Sequence, residues 1–436
     1  MLVKLISRTL NDKIFVISLT ASALTSASSL PPRRRRIEAQ RFVSLIAVSA
    51  LLSVSLFVSA AAKVRIKGKP GTFPTIQQAV DAADPGDTVI VHHDTYAENV
   101  TIGKSLTLRG AGHPLLAPAS GVPLMVDNPA GSVVIEGLHI NTPSGQTGIF
   151  YDGLSDDDAN IGVVRNCAIT GGQTGIFARE CDLRIRDNDI SGFSGSPSSR
   201  GLLATGLGSA TRIVVTHNRI VGQPVAGSLG MAILAASIRI RNNDVRGTFS
   251  SAIQVLQTDG VIRFNELTDN RVGINLIQSP NCRVEHNVAE STAAFTASMN
   301  AQNLSVGHVR VADASNNAQI SNNTLIGGNL GISLLGSSGV VIDSNVVRDT
   351  VNAGSILGVG ISVINSTGAE AHNNNIEGNA SFGMQVVGAS GVVNATDNWW
   401  GAGDGPSGVG PGSGDAVTAN INFSPFLTTP NSAAGD

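Results

Sequence analysis

From residue 166 onward the chain repeats a phrase of apolar and polar positions: apolar, any, apolar, two residues, Asn, any, apolar. It reads Leu183-Arg184-Ile185-Arg186-Asp187-Asn188-Asp189-Ile190, and again Ile238-Arg239-Ile240-Arg241-Asn242-Asn243-Asp244-Val245. The Asn falls at 166, 188, 218, 243, 265, 287, 323, 345, 374 and 398, with gaps of 22, 30, 25, 22, 22, 36, 22, 29 and 24. A floor of 22 with occasional additions marks a repeat that carries loop insertions. The apolar residues before the Asn alternate as a strand does, and the apolar residue after it is out of phase, so the chain turns there. Asn tolerates the left-handed backbone region better than most residues, which assigns the bend to the Asn itself. A second phrase, Gly-apolar-any-apolar, precedes most anchors, as in Gly273-Ile274-Asn275-Leu276 and Gly331-Ile332-Ser333-Leu334. Each unit therefore holds three short strands and three turns. No unit can bury its apolar face alone, but stacked units can.

At the start, Thr75-Ile76-Gln77-Gln78 reads as a capping box, with Ile76 and Val80 one turn apart and Pro85-Gly86 beyond. A helix here would cover the first coil, whose strand edge would otherwise be open. At the far end, Asp397-Asn398-Trp399-Trp400-Gly401 holds both tryptophans, which reads as bulk closing the open core. The Asn ladder and coil length resemble right-handed parallel β-helix proteins, the pectin-lyase-like superfamily, over most of the chain after residue 63. The stretch from Phe73 to Val91 is similar to the opening of many such proteins, pectinesterases included. The stretch from Asp397 to Leu427 resembles the close of bacterial ones. The fold expected is all-β, a single-stranded right-handed parallel β-helix with an N-terminal helical cap, over residues 63–430. Residues 431–436 are expected to form a disordered tail. At about 4.8 Å per coil the rod would be roughly 50–65 Å long.

Composition changes the picture mainly at the N-terminus. Arg33 to Arg36 precede a charge-free stretch, 42–62, that ends in Ala60-Ala61-Ala62. This is the layout of a secretory signal, with an uncleaved membrane anchor as the alternative. The mature chain is expected to begin near Lys63, and N-terminal sequencing of the native protein checks this. Without 1–62, 21 Lys and Arg remain against 30 Asp and Glu, a net charge of −9. A nucleic-acid role has no electrostatic support on such a rod, and membrane contact is expected only through 42–62, if that stretch stays uncleaved. Cys167, Cys181 and Cys282 have no C-x-x-C spacing and fall in different positions of the repeat, so no disulfide is expected.

Candidate chemistry lies on outward positions and long loops. The outward residues of the Gly-phrase strand run Phe150, Phe177, Leu203, Ala232, Gln254, Asn275, Arg310, Ser333, Ser362 and Gln385. They include no carboxylate pair of the kind glycoside hydrolysis uses, and no base beside a cation as lyase chemistry uses. Neither the Gly-His-Gly of polygalacturonases nor the Tyr-Gly-Phe-Asp-Pro-His-like run of alginate epimerases occurs. Long insertions follow Asn188, Asn287 and Asn345, and another spans 153–160. Asp152, with Asp156, Asp157 and Asp158, lies near Arg179 of the next coil. Three consecutive aspartates suit Ca²⁺ or a solvated turn. Outward positions of the second strand hold Arg184, Arg186, Arg239, Arg241, Arg263 and Arg283, interrupted by Val214 and Thr216. Arg suits planar contact with carboxylate, sulfate or phosphate. The alternative is a solvated face neutralised by Asp187, Asp189 and Asp244. Three functions remain open: a non-catalytic exported rod that binds acidic polysaccharide or is structural; a polysaccharide lyase, hydrolase or epimerase with loop-borne catalytic residues; and a copper-linked periplasmic accessory, a role that some relatives of this fold resemblance have. No metal or cofactor is expected beyond that Ca²⁺.

Overall fold

Strand periodicity repeated at one coil length can satisfy its backbone only by pairing each coil with the next, and the chain does so. A computed structural model describes residues 64–153, 161–194, 198–206, 211–223 and 227–436. The signal or anchor at 1–62, Lys63 and the aspartates 156–158 lie outside these residues. The described chain is an all-β, right-handed parallel solenoid of about 12 turns. First, second and third strands of successive coils stack into sheets of 14, 15 and 12 strands. One pairing in the second sheet is antiparallel: Val64–Ile66 lies against Thr88–His92 and starts the stack. Inward positions are filled by branched aliphatics, and Ile185, Ile240, Ile262, Val284, Ile320 and Ile342 are wholly buried. Each contributes on the order of 1.5–3 kcal/mol by leaving water.

The anchor asparagines are buried and form a ladder between the second and third strands. In each rung Nδ2 donates to Oδ1 of the next coil's Asn, from Asn188 through Asn218, Asn243, Asn265, Asn287, Asn323, Asn345 and Asn374 to Asn398, at 2.8–3.0 Å. The bend, however, belongs to the residue before. Asp187, His217, Asn242, Phe264, His286, Asn322, Ser344, Asn373 and Asp397 have φ between 52° and 60°. The carboxamide must point inward to meet the buried backbone of the bend, so its neighbour takes the left-handed conformation on the outside. Asn166 is one of these outer residues, with φ 52°. The ladder position of its coil is Cys167, whose backbone N–H donates to Asn188 Oδ1 at 3.0 Å. A second ladder, of hydroxyls, follows the first strand: Thr258 N–H donates to Ser279 Oγ, Ser279 N–H to Ser315 Oγ, and Ser366 N–H to Ser390 Oγ.

Helix α1 spans Ile76–Ala82, with Thr75 accepting from the Gln78 amide as the sequence predicts. The Ile76 and Gln77 amides donate to the Glu98 carboxylate. A second helix, α2, spans Ala293–Asn300 within the longest gap between anchors, which the sequence reads only as a loop. Thr292 caps it, accepting from the Phe295 amide at 3.2 Å. Trp400 is fully buried beyond the last rung, and Trp399 donates from Nε1 to Glu377. Residues 431–435 are held on the last coils rather than free. Asn431 exchanges hydrogen bonds with Asn375 and donates to the Asn373 carbonyl, and the Gly435 amide donates to the Ser344 carbonyl. Asn-rich turns supply polar partners that a terminal segment can pair with. The three cysteines are free and buried, and burial pushes each thiol up to about 12.

Candidate functional site

Outward positions of stacked strands fall into columns along the solenoid axis, so a residue's neighbours are set by register. Two columns of the second sheet carry the arginines. One runs Arg184, Val214, Arg239, Val261, Arg283 and the other Arg186, Thr216, Arg241, Arg263, Glu285. Arg184, Arg239 and Arg283 of the first column and Arg241 and Arg263 of the second, with Arg212, Val214 and Val261, line a shallow groove of about 430 Å³ that has no acidic residue in its wall. Arg241 and Arg263 pair in register at one coil step, as the sequence spacing predicts.

The acids expected to neutralise this face do so only in part. Asp189 pairs with Arg219, and Asp244 with Arg246, both on the third strand. Asp187 pairs with Arg186 at 2.9 Å, and Glu285 with Arg283 at 2.7 Å. Arg186 and Arg283 are thus engaged in exposed ion pairs, which are worth little in water. Among the described residues no acid pairs with Arg184, Arg239, Arg241 or Arg263. Toward the N-terminus, the same column holds Glu136 between Arg109 and Arg165. Burial pushes the Glu136 carboxyl up, but the hydrogen bonds from both guanidinium groups outweigh it and hold it below the usual range. Arg212 pairs with Asp182 at 3.6 Å, and between Glu136 and Glu285 the column arginines without an ion pair among the described residues are Arg184, Arg239, Arg241 and Arg263.

An aromatic edge flanks the patch, and the sequence reading missed it. Phe264, at its left-handed bend, is 46% exposed. Its ring lies 4.9 Å from the His286 ring, and the Arg263 guanidinium sits 5.5 Å above it. Such a stack holds the guanidinium plane in place without consuming its N–H donors. The detectable signal was an aromatic residue just before an anchor Asn.

Asp152 and Arg179 are not part of this patch. They face each other in register on the first sheet and form a two-pronged ion pair, with Arg179 Nε 2.9 Å from Asp152 Oδ1. Arg179 also caps Phe150, which stacks on Phe177 at 5.0 Å. That pair is satisfied within itself. The outward column of the first sheet is the one expected, from Phe150 to Gln385, in unbroken register. Helix α2 and the loop near Val351 to Ser355 frame an open cleft of about 700 Å³, where Ser291 Oγ, Thr296 Oγ1 and Asn300 Oδ1 are buried without hydrogen-bond partners. No group of three or more His, Cys, Asp or Glu among the described residues is placed to hold a metal ion. No described helix is long and apolar enough to cross a membrane.

Residues 128–311 match the family described as a right handed beta helix region. The cell surface glycoprotein of Methanothermus fervidus is 28% identical over 134 residues, which is 30% of this chain and 22% of that protein. The match thus spans about a fifth of that relative's length. Among solved structures, the A-module of the Azotobacter vinelandii mannuronan C-5 epimerase AlgE6 is 17% identical, covering 81% of this chain and 94% of that one, with a TM-score of 0.41. The DFA-IIIase of Arthrobacter chlorophenolicus A6 is 14% identical, covering 76% of this chain and 93% of that one, with a TM-score of 0.46.

Proposed function

We propose that this right-handed parallel β-helix protein is an exported rod, of the cell surface or periplasm, that binds acidic glycans without turning them over. One observation carries the reading: Arg184, Arg239, Arg241 and Arg263 share one face, and no acid among the described residues is paired to them. Like charges one coil apart raise each other's energy unless anions lie between them. On a chain whose Asp and Glu outnumber its Lys and Arg, free acids were available for that purpose and stand elsewhere. A carboxylate or sulfate ligand completes the pairing, with guanidinium groups donating in parallel. Export rests on the signal-like stretch before Lys63, and the surface glycoprotein relative supports the surface as its destination. In this reading α1 covers the open N-terminal end of the core, a position its contacts with the first strands support.

The rod's negative charge weakens long-range attraction of a polyanion, and salt screens both that repulsion and the local attraction beyond about 8–10 Å. Binding is therefore expected to be weak and to fall as salt rises. An Arg241→Gln/Arg263→Gln variant is expected to bind acidic polysaccharide about tenfold or more weakly at low salt, since each charged hydrogen bond contributes about 1.5–3 kcal/mol. Calorimetry on parent and variant measures this, with circular dichroism to show an intact fold. Mass analysis of glycans incubated with the protein tests the absence of turnover. New reducing ends or unsaturated products would replace the binding reading with an enzymatic one.

A further inference from the structure

The arginines of the second sheet recur at an interval that charge alone does not require. In the column from Arg184 to Arg283, arginine and valine alternate coil by coil. Coils stack about 4.8 Å apart, so like groups recur roughly every 9–10 Å along the axis. Avoidance of repulsion does not explain the alternation, because the adjoining column sets Arg241 beside Arg263 at a single coil step, neither of them ion-paired among the described residues. Val214 and Val261 line the groove and are half-buried, so the column presents apolar saddles between cationic posts.

An extended acidic glycan has a matching alternation. Where successive sugars face opposite ways, anionic groups project to a given side at every second sugar. The intervening ring offers its apolar C–H face. The same holds for a copolymer with one uronate per disaccharide. We propose that the groove takes a linear uronate-bearing glycan lying along the solenoid axis, with one same-side carboxylate for every two coils. This rests on the acidic-glycan reading above and specifies its ligand. Arg184 and Arg239 meet successive carboxylates, and the exposed Arg283 pair with Glu285 opens to meet a third. Val214 and Val261 support the rings between. Arg241, Arg263 and the Phe264 ring form the wall on the side of the asparagine ladder.

The test transposes charge without changing it. An Arg239→Val/Val261→Arg variant keeps net charge, composition and groove lining and destroys only the two-coil spacing. Binding of parent and variant is measured calorimetrically at low salt against polygalacturonate, a uronate homopolymer, and hyaluronan, an alternating copolymer. The variant is expected to bind about tenfold or more weakly to whichever polymer the parent prefers, because one charged contact is lost without replacement. Equal binding by parent and variant overturns the spacing while leaving the acidic-glycan reading in place. Failure of the parent to bind either polymer removes both. Should the transposed protein fail to fold, Val214→Arg serves instead: it adds a positive charge but breaks the alternation. Spacing predicts no gain or a loss with that variant, and tighter binding would show that charge alone governs.

Discussion

An Asn265→Val variant is expected to lose about 4 kcal/mol of stability, read as a lower urea midpoint by circular dichroism. Asn265 is wholly buried, and every polar atom of its side chain is engaged. Its Nδ2 donates to Asn287 Oδ1 at 2.8 Å, to the Arg263 carbonyl at 3.1 Å and to the Ile240 carbonyl at 3.2 Å. Its Oδ1 accepts from both nitrogens of Asn243, at 3.0 Å from the backbone and 2.9 Å from Nδ2. Valine is of similar volume, so the cost is not a cavity. It takes the acceptor from the Asn243 backbone N–H and the side-chain donor from the Ile240 carbonyl, at about 1–3 kcal/mol for each buried group left unpaired, while Asn243 Nδ2 keeps the Val215 and Arg241 carbonyls. The comparison variant is Phe264→Asn, one residue earlier, where φ is 56°. Asn accepts that conformation better than Phe does, so its midpoint should not fall by more than the lost ring contacts account for. An unchanged midpoint for Asn265→Val, or an equal loss in both variants, would show that the ladder is not what holds the coils in register.

The second large effect is acid sensitivity centred on His308. In the first sheet His308 stands in register with Gly273 and Gly331 and is 2% exposed. Its Nε2 lies 3.0 Å from the Gly327 carbonyl, which only accepts, so Nε2 carries the proton of a neutral ring. Burial, with no acid among the causes of its shift, pushes the pKa down to about 4. The folded pKa therefore lies below the unfolded value near 6.5. As pH falls through 6.5 the unfolded chain gains a proton that the folded chain refuses. Stability is complete above that value and declines until the folded pKa is reached. From pH 7.5 to pH 5 the loss is about 2 kcal/mol. His308→Gln, which keeps a donor for Gly327, should remove that slope while other titrations remain. Urea midpoints of the two proteins that fall in parallel between these pH values would refute it.

The strands and their facing were open to sequence reading because alternation fixes which side chains point outward. The column from Phe150 to Gln385 and the pairing of Arg241 with Arg263 both follow from that one rule. The left-handed residue was misplaced by one because Asn has two uses. It tolerates the bend, and its carboxamide also satisfies buried backbone. The second use governs here and leaves Phe264 and Ser344 at the bend itself. The hydroxyl ladder was missed because Thr258, Ser279 and Ser390 look like ordinary turn residues until stacking brings them together. The arginine face was visible as a pattern, but which acids neutralise it was not. Asp189 and Asp244 are near in sequence yet lie past the bend, where they meet Arg219 and Arg246.

The asparagine ladder also has a direction, and that bears on how its coils dock. Each rung receives two donors from the coil before it and offers its own to the coil after it, as Asn265 does between Asn243 and Asn287. A coil paired only with the one before it has its Asn Oδ1 satisfied and its Nδ2 held by carbonyls, while the anchor's backbone N–H still lacks its acceptor. The C-terminal side of each ladder coil therefore presents the same backbone donor, and the Asn of the next coil brings the matching acceptor. Each coil's ladder partners are its immediate neighbours, so its docking requires no distant segment. At Asn398 the ladder ends: its Oδ1 accepts from both nitrogens of Asn374, and its Nδ2 donates to the carbonyls of Ala371, Ala395 and Thr396.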